Sequence, residues 1–380
     1  MSELSYMEKL LDGVEVEWKS LSDIATITIG DFVHKNNQDS SAKYPVYNGG
    51  ISPTGYYEKY NNTGNKIIVS ARGANAGFVN RISQPYWAGN SCYSVGVKNS
   101  AEINWTYVFY FLKNAENKLI GDQQKGGIPA VSKKQMEVFQ IPIPPLNVQA
   151  EIVRILDTFT ELTAELTAEL TARQQQYAYY REQLLTFEED DIEWRELAKV
   201  CRFINGRAYK RSELLEKGKY PVLRVGNFFT NNNWYYSDLE LNEEKYCDNG
   251  DLLYAWSASF GPRIWEGSKA IYHYHIWKVI PKTEIVSKEY LFYLLDWDTE
   301  ALKAEHATGS TMMHIGKGLI EKRKLPIPSL SVQAEIVRML DTFKELTVEL
   351  TVELTARQQQ YEYYRDLLLS FPKPEVVAHD

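Results

Sequence analysis

From residue 148 to residue 187 the chain has no glycine and no proline. Apolar side chains return at Ile152, Ile155, Phe159, Leu162, Leu166, Leu170, Tyr177, Tyr180 and Leu184, with Arg173 in the one remaining seam position. Steps of three and four residues mark one face of an α-helix, and Ala, Glu, Leu, Gln and Arg fill the rest. The pattern recurs at Ile336, Met339, Phe343, Leu346, Leu350, Leu354, Tyr361, Tyr364 and Leu368, interrupted by Arg357. One extra four-residue step brings the period to about 3.6, so supercoiling should be weak. Proline-rich leaders, IPIPP and LPIPS, precede both stretches. They put the first helix start near Val148 or Ala150, because proline and the residue before it avoid helix.

A seam this narrow needs a partner. Two helices of about 50 Å each, at 1.5 Å per residue, are expected to pack antiparallel. Their interface would hold Phe159, Leu162, Leu166, Leu170, Tyr177 and Tyr180 against Phe343, Leu346, Leu350, Leu354, Tyr361 and Tyr364, while Arg173 and Arg357 snorkel to solvent.

The two helical stretches belong to a duplication. Residues 141–187 and 325–371 match at 36 of 47 positions at an offset of 184. Fainter echoes surround them: VEWKSLSDIATITIG (16–30) with IEWRELAKVCRFING (192–206), KYPV at 43–46 and 219–222, YVFYFL (107–112) with YLFYLL (290–295). MEKLLDGVEVEW (7–18) resembles REQLLTFEEDDIEW (181–194), so the chain begins like the end of a helix whose body lies at the far end of the sequence. The expected organisation is circular and pseudo-twofold. Inside the helices sit tandem units, TAEL at 163–166 and 167–170 and TVEL at 347–350 and 351–354. Each unit adds about 6 Å and 40° of rotation, either as padding or as a ruler.

The segments between the helices read as mixed α and β. Strand-like runs are KIIVSA (66–71), CYSVGV (92–97), DLLYAW (251–256) and IYHYHIWKVI (271–280); helices are expected at 105–118 and 288–304. Three cysteines without a CxxC, no apolar run of 18 residues and no signal-peptide pattern point to a cytoplasmic protein with free thiols.

The net charge of −8 over 380 residues first argues against nucleic acid. Its distribution reverses that. Residues 30–140 hold 12 basic against 7 acidic side chains and residues 200–325 hold 18 against 16, whereas the connector 141–199 holds 5 against 12. Two modestly basic modules on an acidic frame suit phosphate-facing domains.

Base reading uses Arg, Lys, Asn, Gln and hydroxyl side chains on exposed loops. The first domain offers Lys35, Asn48, Arg72, Asn75, Gln123, Gln124, Lys125 and Ser132. The second offers Arg207, Lys210, Arg211, Arg224, Asn227, Ser257, Arg263, Ser310, Thr311, His314 and Lys317. Catalytic motifs are absent: no GxxxxGK[ST], no HExxH, no GxSxG. Glu17-Trp18-Lys19 imitates one end of a nuclease site but reads as a strand edge. His273 and His275 alternate as on a strand, without a third metal ligand.

The order of variable domain, IPIPPLxxQxxI, long helix with TAEL units, QQxxYxxYRxxLL, and then all of it again resembles the specificity subunit of Type I restriction–modification enzymes. The tandem units resemble the subgroup whose spacer length follows the number of TAEL-like repeats. Further landmarks are VSARGANAGFVN…YWAGNSCYSV (69–95) and GSTMMHIGKGLIEKRKLPIP (309–328).

The resemblance implies an α+β fold: two mixed α/β target recognition domains separated by two long antiparallel helices, with pseudo-twofold, circular organisation. Residues 1–145 would be the first recognition domain, 146–187 the first spacer helix, 188–328 the second recognition domain, 329–371 the second helix and 372–380 a tail. Each domain would read one half of a bipartite DNA target, and the helices would set the spacer and dock two modification (methyltransferase) subunits. Restriction motor-nuclease subunits complete the complex. No cofactor or metal is expected in this chain; S-adenosylmethionine, ATP and Mg belong to the partners, as does all catalysis. QKGGIPAVS (124–132) and ATGSTMMHIG (307–316) differ at equivalent places, so the half-sites should differ. The competing expectation is a cytoplasmic coiled-coil scaffold that binds no DNA.

Overall fold

Pro144 and Pro145 close a short strand and release the backbone into a helix that begins at Leu146 and runs to Leu185. It starts slightly earlier than the prolines suggested. The reason is that Pro145 supplies only its carbonyl, which accepts from the amides of Val148 and Gln149 and so builds the first turn. The second helix, Leu330–Leu368, begins in the same way, with the Gln333 amide donating to the Ser329 carbonyl. The computed structural model describes residues 9–11, 13–49, 51–120, 129–188, 192–229, 231–257, 259–306 and 314–372.

The chain divides into two units, one reaching Thr167 and resuming at Val352, the other running from Ala168 to Thr351. Each unit therefore holds the beginning of one long helix and the end of the other.

In the first unit the elements are β1 (Glu17–Ser20), α1 (Leu21–Ile24), β2 (Ala25–Ile29), β3 (Tyr44–Tyr47), β4 (Gly55–Tyr57), β5 (Lys66–Ser70), β6 (Val79–Ile82), β7 (Trp87–Ala88), β8 (Cys92–Val97), α2 (Trp105–Asn114), α3 (Glu116–Ile120), α4 (Lys133–Glu137), β9 (Gln140–Ile143) and the first part of α5 (Leu146–Leu185). They form sheets ordered β2-β8-β5-β6, β4-β3-β7 and β1-β9.

The second unit repeats the plan. After the end of α5 come β10 (Trp194–Glu196), α6 (Leu197–Val200), β11 (Cys201–Asn205), β12 (Tyr220–Leu223), α7 (Val225–Phe229), β13 (Tyr235–Ser237), β14 (Tyr246–Cys247), β15 (Leu252–Ser257), β16 (Ser259–Ile264), β17 (Ala270–Tyr272), β18 (Ile276–Pro281), α8 (Lys288–His306), α9 (Lys317–Lys322), β19 (Lys324–Pro326) and the first part of α10 (Leu330–Leu368). Its sheets run β11-β18-β15-β16, β13-β12-β17-β14 and β10-β19. In both units a parallel pair, β3 with β7 and β12 with β17, lies inside an otherwise antiparallel sheet.

One expected strand splits. The run 271–280 ends β17 at Tyr272, turns at residues 273–275, and enters a different sheet as β18. An aromatic and β-branched run satisfies strand propensity throughout, so the change of sheet leaves no periodic signal. His273 and His275 consequently sit on a turn, not on a sheet face. The helix expected at 105–118 is also broken, at Ala115, between α2 and α3.

The circular organisation is visible in the cores. Leu368, Leu369 and Phe371 join Val148, Ile152 and Leu156 in the core of the first unit. The residues 184 positions earlier, Leu184, Leu185 and Phe187, join Ile336 and Leu340 in the core of the second. In each unit one long helix runs out of the core while the other runs in, so the pair is antiparallel.

The glutamine of each VQAEI motif ties its long helix to the recognition domain. Fully buried Gln149 accepts from the Asn104 amide at 2.9 Å and donates to the carbonyls of Glu102 and Pro144 at 3.0 and 2.8 Å. Gln333 does the same with Ser287, Ile285 and Pro328. Asn104 and Ser287 themselves cap the following helices by accepting amides of Thr106 and Tyr290. Gln149→Ala strands a buried donor and two acceptors, and should lower stability by about 2 kcal/mol or more. Urea unfolding, compared with exposed Gln175→Ala, measures it; equal midpoints would refute this role.

All three cysteines are buried and free, with burial pushing the thiols up to about 11 at Cys92 and about 12 at Cys201 and Cys247. Among the described residues no helix is long and apolar enough to cross a membrane.

Candidate nucleic-acid interface

The parallel pair in each unit throws two loops out side by side. In the first unit Asn48 and Gly49 follow β3, and Gly89, Asn90 and Ser91 follow β7, tied by Gly89 N donating to Tyr47 O at 2.8 Å. Gly49 has φ +87°, and a Cβ there would lie 2.8 Å from the Ser91 carbonyl. Ala71 N then reaches Ser91 O and Val131 N reaches Ala71 O, each at 2.8 Å, which brings Arg72 opposite Ala130. Four segments thus meet in one place: 48–49, 71–73, 89–91 and 129–131.

The second unit repeats these bonds with other side chains. His273 N donates to Leu223 O, Trp256 N to His275 O and Ile315 N to Trp256 O, with Ser257 opposite His314. Asp31 N donates to Ala88 O as Arg207 N donates to Tyr272 O. The hydrogen bonds therefore match position to position. Asn48 corresponds to Arg224, Asp31 to Arg207, Arg72 to Ser257, Ala130 to His314, and Gly89-Asn90-Ser91 to His273-Tyr274-His275. The backbone is shared and the chemistry is exchanged.

Of the first unit's sequence-predicted residues, Arg72 and Asn75 are exposed on this cluster, and among the described residues Arg72 has no ion-pair partner. Asn48 donates to Thr54 Oγ1 at 3.0 Å. Lys35 is exposed on the loop after β2, whose Asp31 carbonyl accepts from Trp87 Nε1 at 2.8 Å. Ser132 is spent locally, because its hydroxyl caps α4 by accepting from the Gln135 amide. Gln123, Gln124 and Lys125 lie outside the described residues.

In the second unit Arg207 is locked in a bidentate pair with Glu213 at 2.9 and 2.8 Å, and that pairing holds the Glu213 carboxyl down at about 2. Ser257 is buried in β15 and faces no solvent; a WSASFG sequence looks like a loop, but its serine completes a strand. Arg263 lies over Phe228 at 5.7 Å and lines a separate cleft with Trp265 and Lys344. Lys317 pairs with Glu321 at 3.5 Å. Lys210 and Arg211 are exposed on a short turn. His314 packs its ring 5.9 Å from Trp256. Ser310 and Thr311 lie outside the described residues.

That leaves Arg224 and Asn227 beside residues the candidate list omitted: Tyr235, His273 and His275. The His273 and His275 rings are 4.9 Å apart. Burial, then His275 and Arg224, push His273 down to about 4; burial and His314 lower His275. Both shifts favour the neutral imidazole, and His273 Nδ1 accepts from the His275 backbone amide at 3.5 Å. Among the described residues no group of three His, Cys, Asp or Glu side chains could hold a metal ion. The imitation of a nuclease site at Glu17 and Lys19 is an exposed ion pair of 2.8 Å on β1.

The helix seam is built from a repeated stack. In the first unit Phe159 stacks on Tyr364, 5.4 Å between centroids and 22° between planes, with Tyr361 at 6.5 Å. In the second Tyr180 stacks on Phe343 at 5.2 Å and 17°. Leu162, Leu166, Leu170, Tyr177, Leu350 and Leu354 are half-buried, whereas Leu346 and Tyr180 keep 40% exposure each. Arg173 and Arg357 turn along their own helices, to Gln176 and Glu169 and to Gln360 and Glu353.

The sequence profile described as Type I restriction modification DNA specificity domain matches this chain twice, at residues 13–173 and 189–357. The specificity subunit of the Type I restriction enzyme EcoR124I/EcoR124II of Escherichia coli is 32% identical over 413 residues, spanning the whole of both chains. A putative type I restriction enzyme specificity subunit of Haemophilus influenzae is 32% identical over 97% of this chain and 98% of its own. In fold, the crystal structure of the Type I restriction–modification S subunit from M. genitalium superposes with a TM-score of 0.69 at 17% identity, covering 95% and 98% of the two chains. None of these likenesses supports a scaffold without DNA.

Proposed function

Because the chain belongs to the family of Type I restriction–modification specificity subunits and carries two target recognition domains, we propose that these domains read the two unlike halves of one interrupted DNA target. One observation carries the asymmetry. Hydrogen bonds that match one for one place Asn48, Arg72 and Ala130 in one domain where the other has Arg224, buried Ser257 and His314. Identical side chains would call for a symmetric target; unlike ones call for unlike half-sites.

Methylation and cleavage in this family lie in partner subunits, and this chain supplies the sequence recognition. The long helices are the candidate spacer, and their TAEL and TVEL units suit the subgroup in which repeat number sets spacer length. Tyr179 and Tyr363, 61% and 64% exposed, and Val348 and Val352 point outward from these helices and support their use as docking faces for two modification subunits. Those subunits would bring S-adenosylmethionine, and motor-nuclease subunits ATP and Mg, in the cytoplasm where the DNA lies.

The test is to assemble the chain with its modification subunits and map methylated adenines across a genome. An interrupted motif with different halves is expected, with affinity that falls as salt rises. A palindromic motif would refute the asymmetry, and salt-independent, sequence-blind binding would refute DNA reading altogether.

A further inference from the structure

We propose that Arg224 reads a guanine, by a bidentate contact, in the half-site taken by the second recognition domain. The inference rests on the DNA-reading function above and narrows it to one residue and one base.

Arg224 lines a cleft of about 260 Å³ together with Asn227, Tyr235, His273 and His275. Three features fit it for a base edge. Its guanidinium lies 5.5 Å from the centre of the Tyr235 ring, which orients the fork at little entropic cost. It is exposed and has no carboxylate partner among the described residues, unlike Arg207, whose fork Glu213 already fills. Finally, Asn227 donates its amide nitrogen to the carbonyls of Asn231 and Asn233, both at 2.9 Å. That leaves its Oδ1 as an acceptor in the same cleft.

A fixed guanidinium beside an acceptor matches a G·C pair in the major groove. The fork takes O6 and N7 of guanine, and the acceptor takes the N4 amino group of the paired cytosine. A phosphate, which offers only acceptor oxygens, would gain nothing from that acceptor. The equivalent position in the first domain is Asn48, and the first domain's own free guanidinium, Arg72, corresponds to buried Ser257. The two domains therefore place their arginines differently on one scaffold.

The experiment uses the full chain assembled with its modification subunits, with methylation sequenced over a library of randomised half-sites. Wild type should demand guanine at one position of the second domain's half-site. Arg224→Lys and Arg224→Gln should both lose that demand by roughly 10- to 100-fold. The other half-site and the spacer should stay unchanged, and the intact half serves as the folding control. A lysine variant that keeps the guanine demand while the glutamine variant weakens all sequences alike would make Arg224 a phosphate contact and overturn the proposal. So would two variants that match wild type. A wild-type complex without sequence preference would instead overturn the function on which the proposal rests.

Discussion

Removing one tetrapeptide, residues 163–166, should move methylation to targets with a shorter spacer and leave both half-site sequences as they were. The helix loses about 6 Å and about 40° of rotation, close to two base-pair rises at 3.4 Å each. The repeats are well placed for such surgery. Phe159 and Tyr180 lie outside them in α5, as do Phe343 and Tyr364 in α10, so no stacking ring is removed, and a matched deletion in α10 returns both stacks to register. The repeat threonines are satisfied within their own helix: Thr167 donates to the Thr163 carbonyl and Thr351 to that of Thr347, each at 2.7 Å. Methylation of the original target should fall by roughly 100-fold or more, since only one half can then be engaged in register. Matched deletion of residues 347–350 should sharpen the new preference. Mapped methylation with an unchanged spacer, or with an altered half-site, would remove the ruler from this account.

Arg323→Ala should destabilise the second unit by about 3–5 kcal/mol, because it leaves a buried carboxylate without its counter-charge. Asp298 is 3% exposed and pairs with the Arg323 guanidinium, which also grips Glu305 at 2.8 and 3.1 Å. Burial raises the pKa of the Asp298 carboxyl while Arg323 opposes the shift. The first unit shows that the scaffold does not require charge here. Phe139 stands where Arg323 does, its carbonyl accepting from Leu21 N as Arg323's accepts from Leu197 N, and Ala115 stands where Asp298 does. The double variant Arg323→Phe with Asp298→Ala should therefore recover to within about 1.5 kcal/mol of wild type. Denaturant unfolding of the single and double variants decides it. A single substitution that costs less than about 1 kcal/mol would show that the pair is dispensable even when half of it is left behind.

The long helices were legible because a period of 3.6 over ten turns has no competing explanation, and the duplication because it repeats almost letter for letter. The reading surface was legible only as a composition. Arg207 and Arg224 look alike in sequence; what separates them is Glu213, six residues on, whose carboxylate occupies one fork and not the other. Ser257 looked like a loop hydroxyl and is a buried strand residue. His273 and His275 looked like a sheet face and are the turn between two sheets. In each case a tertiary pairing decides the outcome, and no local pattern carries it. The VQAEI glutamines were visible as a motif, but their three-way anchoring depends on partners about 45 residues away.

The core that gathers Leu368 and Leu369 around Ile152 has a consequence for synthesis. Trp18 Nε1 donates at 3.0 Å to the carbonyl of Pro372, across 354 positions of sequence. The second unit is one unbroken stretch and can close as soon as it leaves the ribosome. The first unit emerges earlier but lacks the last part of its core until the whole of the second has been made. Order of translation and order of completion are thus reversed. The first recognition domain spends the interval with apolar surface uncovered, and it is the part of the molecule that most needs chaperone protection during that wait.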